Sequence, residues 1–441
     1  MDNTVEPNAR VAARNGVSRR TFVSASVSGL AASAATGCAT ARAGTVSPTT
    51  ASSEVPNTRS SLEDNIYTRL LGVRPHLGAH EHITTLGGCR MPAEVMQAML
   101  DANEYFVDMH ELNAAAGKRV AELMGAQAAL VTSGGFSGML LGAAACLTGS
   151  DPKRVEALPH PTWAKRHCLL QTSQSFSYDH AYKAAGMSLE YVDTREQLRE
   201  RVDERTAMLA TLSAVERGFP IGPPKPHDRT RPPDSSVIMP EEFIRIGKET
   251  GVPVLVDMAS DLPPWENLTK YIELGADLVV VSGGKGILGP QSTGVLAGRR
   301  DLIEAATLNA SPNDGIGRGM KVGKEEIVAL VFALERAVAL DQDAAIEAWD
   351  ARASWVAEQL QGIPGLRAEY KLNTAGYGDV DLSWDQTIIP LAEDEVRQRL
   401  KEGEPSLVYD GTSVRTRLLR DGEERLVAAR LRSFFQEVSR R

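Results

Sequence analysis

Short apolar segments alternate with helical patterns through the central part of the chain, and this alternation limits the fold more than any other feature. The apolar segments have the length of buried strands, and the stretches between them carry apolar residues at the spacing of amphipathic helices. Strands joined by crossover helices pair in parallel, so the pattern predicts an α/β fold with a mostly parallel sheet covered by helices on both faces. The predicted strands are residues 128–132, 167–171, 189–192, 208–212, 253–257 and 277–281, and the predicted helices are residues 92–103, 111–124, 240–250 and 264–274.

The pattern changes after Gly323. Long helical patterns cover residues 324–340 and 344–360, and short strands with one more helix follow them. This order predicts a smaller α+β domain that packs against the first. The predicted division is a leader (1–43), a flexible linker (44–62), an N-terminal arm with the large domain (63–310), and a long interdomain helix with the small C-terminal domain (311–441).

The composition limits the classes of partner. The chain has 441 residues and a formal net charge of -9, so electrostatic binding of nucleic acid is not expected. Arginine is frequent in residues 415–441, but acidic residues interleave it, and we interpret this segment as a solvent-exposed helix face. The four cysteines show no Cys-x-x-Cys or Cys/His spacing, so neither a metal site nor a disulfide framework is predicted.

The first residues carry the pattern of an export signal. Arg19 and Arg20 precede a mildly apolar stretch, residues 22–35, and together they resemble a twin-arginine translocation signal. Residues 41–43, Ala-Arg-Ala, form a small-x-small cleavage site, and the alternative is a weak lipobox that would place a lipid anchor on Cys38. The twin-arginine machinery carries folded proteins, often with a cofactor. We therefore expect a periplasmic or otherwise extracytoplasmic protein.

A proline-rich segment interrupts the alternation of strands and helices. Residues 218–235 contain six prolines and no apolar periodicity. Long loops inside compact domains are often functional or mobile. A surface excursion without a role explains the segment equally well, and both interpretations stay open.

Two residues of chemical interest follow neighbouring predicted strands. Lys285 lies in the glycine-rich turn Ser282-Gly283-Gly284-Lys285-Gly286, where backbone can approach an anion and a buried lysine tends toward the lowered pKa that Schiff-base chemistry needs. Asp257 ends the preceding strand, and one helix separates the two strands. Both residues are therefore expected at the strand ends where α/β sheets bind ligands. Taken singly, a surface turn lysine and a helix-capping aspartate explain them as well.

A third feature is the turn at Ser133 and Gly134, between the strand 128–132 and a helix rich in glycine and alanine. The backbone N–H groups of a helix N-terminus, together with a hydroxyl, can bind a phosphate. Many α/β proteins have such a turn, so it gains weight only beside Asp257 and Lys285.

In this order and spacing, the three features resemble the fold-type-I pyridoxal-phosphate (PLP) enzymes, whose fold is that of aspartate aminotransferase. More narrowly, the chain is similar to the selenocysteine-synthase-like branch that includes D-glucosaminate-6-phosphate ammonia-lyase. The similarity covers about residues 66–431. It is carried by Leu86-Gly87-Gly88 with Met91-Pro92, Phe106-Val107-Asp108, Thr132-Ser133-Gly134, Tyr178-Asp179-His180-Ala181, the residues from Gly275 to Gly286, Gly289-Pro290-Gln291-Ser292-Thr293-Gly294, and residues 317–326.

The resemblance implies PLP as the cofactor and a role for each feature. Lys285 would be the Schiff-base lysine, and Asp257 would pair with the pyridine nitrogen. Two backbone turns and their hydroxyls would hold the phosphate. The implied cofactor-binding residues are Lys285, Asp257, Ser133, Gly134, Ser282 and Gln291.

Further roles implied by the resemblance concern the substrate and the assembly. Arg318 and Lys321 match an Arg-x-x-Arg pair that handles an anion in the selenocysteine-synthase relatives, although lysine at the second position weakens bidentate binding. Either Phe176 or Gln174 would cover the cofactor face. A homodimer or a larger homo-oligomer is also implied.

One segment departs from the family pattern. Where relatives carry Asn-Ala-x-Gly, this chain has Gly78-Ala79-His80-Glu81-His82. If this segment were a strand, His80 and His82 would face the same side. A substrate-facing acid/base pair, a metal site and a structural role are the three interpretations.

The function that the resemblance implies is a PLP-dependent carbon–nitrogen lyase. It would act on an amino acid or amino-sugar acid by α-proton abstraction and β-elimination, with release of a 2-oxo acid and ammonia. Racemase, aldolase and transferase or transaminase activity are alternatives, and a non-catalytic exported binding protein is an alternative of another class. Phosphorylated substrates are scarce outside the cytoplasm, so an unphosphorylated substrate is expected.

Overall fold

The computed structural model describes residues 62–217 and 236–440. The predicted export signal, the lipidation site at Cys38 and the proline-rich segment 218–235 lie outside the described residues. Within the described part, no helix is both long and apolar enough to cross a membrane.

Helices and strands alternate through the first part of the chain. Most segments agree with the predicted ones to within three residues, because apolar periodicity sets the position of each buried element. The elements are α1 (Ile66–Leu71), β1 (Leu77–Ala79), α2 (Ala93–Asn103), α3 (Met109–Met124), β2 (Ala128–Thr132), α4 (Gly134–Thr148), α5 (Pro152–Ala157), β3 (His167–Gln171), α6 (His180–Ala185), β4 (Ser188–Val192), α7 (Arg195–Arg201), β5 (Thr206–Leu212), α8 (Pro240–Thr250), β6 (Val254–Asp257), α9 (Asn267–Leu274), β7 (Leu278–Ser282), β8 (Gly294–Gly298) and α10 (Arg300–Asn309).

The second part of the chain has long helices and short antiparallel strands. The elements are α11 (Lys324–Val338), α12 (Gln342–Gln359), β9 (Leu366–Leu372), β10 (Gly378–Trp384), α13 (Glu393–Glu402), β11 (Leu407–Tyr409), β12 (Ser413–Val414) and α14 (Glu423–Val438).

The central sheet has seven strands in the order β2-β8-β7-β6-β5-β3-β4. All neighbours pair in parallel except β8, which runs antiparallel to both β2 and β7. The mostly parallel α/β sheet is therefore confirmed. Strand β8 was not predicted, since its sequence, Gly-Val-Leu-Ala-Gly, is short and begins and ends with glycine.

Helices cover both faces of this sheet, and each face has its own apolar cluster. Along β6, Val254 and Val256 belong to one cluster and Leu255 to the other, which is the alternation of a strand buried on both faces. Helices α3, α8, α9 and α11 pack on the first face, and α4, α6 and α10 on the second. Because both faces are covered, a ligand can reach the strands only at their ends.

A third apolar cluster lies in the C-terminal part of the chain and includes Leu77 and Ala79 of β1. Strand β1 pairs in parallel with β11, and the Arg415 N–H donates to the Ala79 carbonyl at 2.9 Å. The chain that leaves β1 is therefore held by residues more than 300 positions later. The predicted domain boundary between residues 310 and 311 stays a prediction.

The interpretation of residues 415–441 as a solvent-exposed helix face is wrong for its first members. Helix α14 begins at Glu423, and Arg415 and Arg417 lie before it, each only 7% exposed. Arg415 pairs with Asp379 and Arg417 with Glu81. Local acidic neighbours in the sequence suggested solvation, whereas the true partners come from distant segments.

Candidate active site

Asp257 and the turn that carries Lys285 lie at adjacent strand ends. Strands β6 and β7 pair in parallel with Asp257 opposite Val280, so the chain that leaves β7 passes close to Asp257. Asp257 is 7% exposed, and its Oδ1 accepts the Ala259 N–H at 2.9 Å. Burial raises the pKa of Asp257, while the Ala259 N–H and the nearby positive charge of Lys285 oppose that rise without cancelling it. The carboxyl group is thus held ready for a positively charged partner.

The N-terminus of α4 meets the same strand ends. A Cβ on Gly135 would lie 3.2 Å from the Ala259 Cβ and 4.0 Å from the Ser282 Cβ. Ser133 is the N-cap residue, yet its side chain makes no capping hydrogen bond, and Gly134 has a φ of +77° with open space beside it. The arrangement leaves a hydroxyl and the backbone N–H groups of a helix N-terminus beside Ser282, which is the donor set for a phosphate.

Gln291 occupies the space between two glycine turns. A Cβ on Gly88 would lie 1.6 Å from the Gln291 Oε1, and one on Gly284 would lie 2.6 Å from the same atom. Neither position has room for a side chain, so the Leu-Gly-Gly motif and the turn of Lys285 both pack against Gln291. Gln291 therefore lies next to this turn, as predicted, and joins two segments of the site.

The residues at these strand ends fit PLP. A phosphate needs N–H and hydroxyl donors, which the α4 N-terminus and Ser282 supply. A pyridinium nitrogen needs a buried carboxylate as its partner. The aldehyde of PLP needs a lysine close to both the carboxylate and the phosphate donors. Asp257 and Lys285 meet these needs at adjacent strand ends. The structure brings together all six residues implied for the cofactor.

The opposite side of the site is built around the buried ion pair of Glu81 and Arg417. The Arg417 Nη2 lies 2.7 Å from the Glu81 Oε2, and the Tyr377 hydroxyl donates to the Glu81 Oε1 at 2.9 Å. The guanidinium also lies over the rings of Trp349 and Tyr377, 5.7 and 5.8 Å from their centroids. Burial alone would raise the pKa of Glu81, but Arg417 and His82 hold it well below its usual range.

His82 connects this ion pair to the side of Lys285. Its Nδ1 is 3.2 Å from the Arg417 Nη2 and 3.3 Å from the Glu81 Oε2. Burial lowers the pKa of His82, Glu81 opposes this, and the charges of Arg417 and Lys285 lower it further. The imidazole is therefore neutral at physiological pH.

A small, open cavity of about 50 Å³ lies between these residues and the loop that follows Asp257. The turn of Lys285 packs against that loop, since a Cβ on Gly286 would lie 2.2 Å from the Leu262 carbonyl oxygen. The cavity is lined by Glu81, His82, Ser260, Leu262, Pro263, Asn373, Thr374, Ala375, Tyr377 and Arg415.

The structure separates the two histidines that the sequence grouped together. Strand β1 ends at Ala79, so His80 and His82 do not alternate along a strand and the expected shared face is wrong. The His80 ring turns back over Gly78, and its Nδ1 lies 2.5 Å from the Glu81 carbonyl oxygen. Only His82 lines the cavity. Among the described residues, no cluster of three or more His, Cys, Asp or Glu side chains could hold a metal ion.

The predicted anion pair lies away from the cavity. Arg318 is exposed and pairs with Asp314, with its Nε 3.3 Å from the Asp314 Oδ1. Lys321 is also exposed. Both lie in the segment between α10 and α11, and neither lines the cavity. Their role in anion binding stays a prediction.

Gln174 and Phe176 differ in their hydrogen bonding and packing. The Gln174 carbonyl oxygen accepts from the Thr211 hydroxyl at 2.8 Å and from the Leu212 N–H at 2.9 Å, and its amide donates to the Ile238 carbonyl at 2.8 Å. The Gln174 amide thus uses its oxygen and its nitrogen in hydrogen bonds to the end of β5 and to the segment before α8. Phe176 is half-buried and packs edge-on against Tyr178, which contacts Phe136 in the first turn of α4. Phe176 therefore lies near the N-terminus of α4, and which of the two residues covers the cofactor face stays a prediction.

Sequence reasoning missed Arg415, Arg417 and Tyr377. The segment around the two arginines, Ser-Val-Arg-Thr-Arg, alternates apolar or small residues with arginine. Buried arginines require partners, so an alternation of this kind could have indicated ion pairs in a C-terminal core. No local signal identifies which carboxylates pair with them.

Comparisons with known proteins agree with this arrangement. Residues 237–318 match the model of the aminotransferase class-V family. The chain is 34% identical over 316 residues to the 5'-C-glycyluridine monooxygenase-decarboxylase of a Streptomyces species, which covers 69% of this chain and 74% of the relative. It is 27% identical over 399 residues to the D-glucosaminate-6-phosphate ammonia lyase of Salmonella typhimurium, which covers 86% of this chain and all of the relative.

Structural comparison gives a consistent result. A solved structure of D-glucosaminate-6-phosphate ammonia-lyase superimposes with a TM-score of 0.72 at 26% identity, covering 85% of this chain and 99% of that chain. The L-seryl-tRNA(Sec) selenium transferase of Hyphomonas neptunium is 27% identical over 274 residues, about half the length of each protein.

Proposed function

Because the chain belongs to the aminotransferase class-V family of fold-type-I PLP enzymes, we propose that it is a carbon–nitrogen lyase acting on an amino acid or amino-sugar acid. The observation that carries the proposal is the match to the ammonia lyase along that relative's full length, with a common fold. The neighbouring positions of Asp257 and Lys285 supply the groups that this reaction needs.

Family membership confirms several predictions. The resemblance to the selenocysteine-synthase-like PLP enzymes is confirmed, as are the fold class, the enzymatic nature of the protein and PLP as its cofactor. The individual roles of the site residues and the homo-oligomer belong to the proposal.

In the proposed reaction, Lys285 and Asp257 divide the work. When bound, PLP withdraws electrons from the substrate α-carbon. Asp257, buried at the end of β6, would hold a proton on the ring nitrogen beside it. The Lys285 Nζ would take the α-proton. The Lys285 ammonium would return this proton to the β-hydroxyl, which leaves as water. The released enamine would then tautomerise to an imine, and water would hydrolyse the imine to a 2-oxo acid and ammonia.

We further propose that the substrate carries no phosphate and that the protein is exported. The twin-arginine pattern around Arg19 and Arg20 supports export. Fractionation of cells that produce the full chain tests this point. A mature protein in the extracytoplasmic fraction that moves to the cytoplasm in an Arg19→Lys, Arg20→Lys variant supports export, and equal cytoplasmic recovery of both contradicts it.

A second candidate is oxidative decarboxylation, which the 34% identical monooxygenase-decarboxylase favours. One assay separates the two reactions. Purified protein with PLP is given hydroxylated amino acids and unphosphorylated amino-sugar acids, and ammonia, 2-oxo acid, CO₂ and dissolved O₂ are measured. Ammonia and 2-oxo acid without O₂ uptake support the lyase, whereas CO₂ release coupled to O₂ uptake supports the second candidate.

The same assay addresses the remaining alternatives. Racemase, aldolase or transferase activity would convert substrate without net ammonia release. A protein that binds these compounds but changes none of them would be the non-catalytic binding protein.

A further inference from the structure

Ser213 lies beside Asp257 at the end of the central sheet. It is the first residue after β5, and the last residue of that strand, Leu212, lies opposite Asp257 in the parallel pair of β5 and β6. The Ser213 hydroxyl lies 3.1 Å from the Asp257 carbonyl oxygen and also contacts the Asp261 carboxylate, so these two oxygens share its single proton. Ser213 and Asp261 are each 2% exposed, so little water competes for this hydrogen bond. The bond therefore joins the end of β5 to the loop after β6, residues 258–263.

This loop determines how the Asp257 carboxyl is oriented. The Ala259 N–H donates to the Asp257 Oδ1 at 2.9 Å, so the carboxyl follows the position of the Ala259 backbone. Two residues later, Asp261 is held at two points. Its carboxylate accepts from the Ser213 hydroxyl, and its carbonyl oxygen accepts from the side-chain amide of the first residue of α9 at 2.9 Å. The Ala259 backbone therefore lies between two fixed positions, the end of β6 and Asp261.

The same loop borders the turn of Lys285. A Cβ on Gly286 would lie 2.2 Å from the Leu262 carbonyl oxygen, so the turn and the loop are in direct contact. The loop also forms one wall of the cavity. A shift of the loop would therefore change three parts of the site together: the Asp257 carboxyl, the turn of Lys285 and one wall of the cavity.

We propose that Ser213 and Asp261 are positioning residues for the cofactor site. Their buried hydrogen bond fixes the loop in the arrangement that directs the Asp257 carboxyl at the ring nitrogen of PLP. Both act through Asp257, and neither transfers a proton in the reaction. The inference rests on the role of Asp257 in the proposed function, and it adds two residues to the six that the resemblance implies for the cofactor.

Loss of the Ser213 hydrogen bond should weaken the contact between the Asp257 carboxylate and the ring nitrogen without removing either group. The strength of a hydrogen bond depends on its distance and angle, and one that involves a charged group corresponds to about 10- to 100-fold in an equilibrium constant. We therefore expect Ser213→Ala to weaken PLP binding and to shift the ring nitrogen toward its unprotonated state. A hydroxyl with a structural role alone would leave the protonation of the ring nitrogen unchanged.

The first test observes the ring nitrogen directly and requires no substrate. PLP labelled with ¹⁵N at this nitrogen is bound to the wild type and to each variant, and its chemical shift is recorded by solid-state NMR at a single neutral pH. We expect the shift of a protonated nitrogen in the wild type. The shifts in Ser213→Ala and Asp261→Ala should move toward the unprotonated value, which Asp257→Ala defines. Asp261→Asn keeps an oxygen that can accept from Ser213, and its shift should stay close to that of the wild type.

The second test measures Kd for PLP by titration of the apoproteins, beside their unfolding in urea. The matched control is Thr206→Val, at the other end of β5. Thr206 is 1% exposed, and its hydroxyl donates to the Asp203 Oδ1 at 3.3 Å, so this variant also removes a buried hydroxyl beside a carboxylate. Ser213→Ala should raise Kd by about 10-fold, whereas Thr206→Val, far from the site, should change it by less than about 2-fold. An equal rise in both variants would indicate a general loss of stability and would overturn the proposal.

The outcomes separate the inference from the function on which it rests. A protonated ring nitrogen in the wild type that stays unchanged in Ser213→Ala and Asp261→Ala overturns the positioning role and leaves the role of Asp257 standing. A wild-type shift equal to that of Asp257→Ala overturns the role of Asp257 itself, and the inference fails with it. Failure of the lyase reaction would be seen in the ammonia assay alone, because neither the chemical shift nor Kd depends on turnover.

Discussion

Asp257 and Glu81 are both buried carboxylates at the same site, yet the pKa of Asp257 is raised and that of Glu81 is lowered. They are 7% and 5% exposed, so burial acts on both. Glu81 has Arg417, His82 and Tyr377 as partners, which offset the loss of water. Asp257 has one backbone N–H and the charge of Lys285. At the sheet, Asp257 therefore keeps hydrogen-bonding capacity for a ligand. On the opposite side of the site, the protein itself supplies the partners of Glu81.

The largest expected effect tests whether the sheet side performs the chemistry. Lys285→Ala should lower kcat by about 10⁴-fold or more, because it removes the amine proposed to move the α-proton. The variant should still fold, since Lys285 lies in a turn and is only half-buried. Turnover is measured beside the visible spectrum and the mass of the protein after borohydride treatment with PLP. Retention of a PLP adduct on the variant, at unchanged turnover, would assign the role to another lysine.

The next effect tests whether the opposite side is a structural ion pair. Arg417→Met should lower the free energy of unfolding by about 3–5 kcal/mol, because it leaves the Glu81 charge buried without its partner. The matched control is Arg245→Met, which breaks an exposed pair with Glu242 and should leave the free energy of unfolding nearly unchanged. Urea titrations of the apoproteins at pH 7.5 measure both. Similar losses for the two variants would contradict the contrast between the two sides.

The sequence predicts the sheet side of the site, with Asp257 and Lys285, much better than the side built around Glu81 and Arg417. Asp257 ends β6, and Lys285 lies in the turn after β7, the next strand in the chain. The order strand, helix, strand makes these two strands parallel neighbours, so both residues lie at the same edge of the sheet. Glu81 meets Tyr377 and Arg417 across 296 and 336 positions. Such contacts depend on how β1 enters the C-terminal part of the chain, through three residues that pair with β11. Three residues give too short a pattern for sequence periodicity to detect.

Long-range contacts also explain why His80 and His82 do not share a face, as the sequence had predicted. Alternation was a sound inference for a strand, but the strand ends at Ala79 because the next residues are held by other contacts. Arg415 binds the Ala79 carbonyl, and Arg417 takes Glu81 and His82. Tertiary ion pairs therefore determine the backbone after Ala79 more than the alternation of residue types does. These pairs are made by Arg415 and Arg417, which the sequence pattern had placed on the surface.

A smaller effect is expected from the pH dependence of stability, which distinguishes Asp257 from Glu81. Burial raises the pKa of Asp257 in the folded protein. The protonated carboxyl group therefore contributes to stability below the usual aspartate pKa of about 3.9, and this contribution is lost as the pH rises through the folded-state pKa. Asp257→Asn should therefore make the apoprotein more stable at pH 7 by about 0.5–2 kcal/mol, with a smaller difference at pH 4. Glu81→Gln should show the opposite trend, because the lowered pKa of Glu81 stabilises above the usual glutamate pKa and is lost in acid. Urea titrations at pH 4, 5.5 and 7 measure both, and a common sign for the two variants would refute the distinction.

The smallest expected effect concerns His80, two positions before His82 and outside the cavity. Its Nδ1 bonds to the Glu81 carbonyl oxygen, and its ring lies over Gly78. His80→Gln should change kcat/KM by less than about 3-fold, because its side chain contacts backbone of its own segment and no residue of the cofactor side. The assay measures ammonia release from hydroxylated amino acids by the wild type, His80→Gln and His82→Ala. A loss of kcat/KM in His80→Gln equal to that in His82→Ala would indicate a shared role for the two histidines, and would contradict the distinction between His82 in the cavity and His80 outside it.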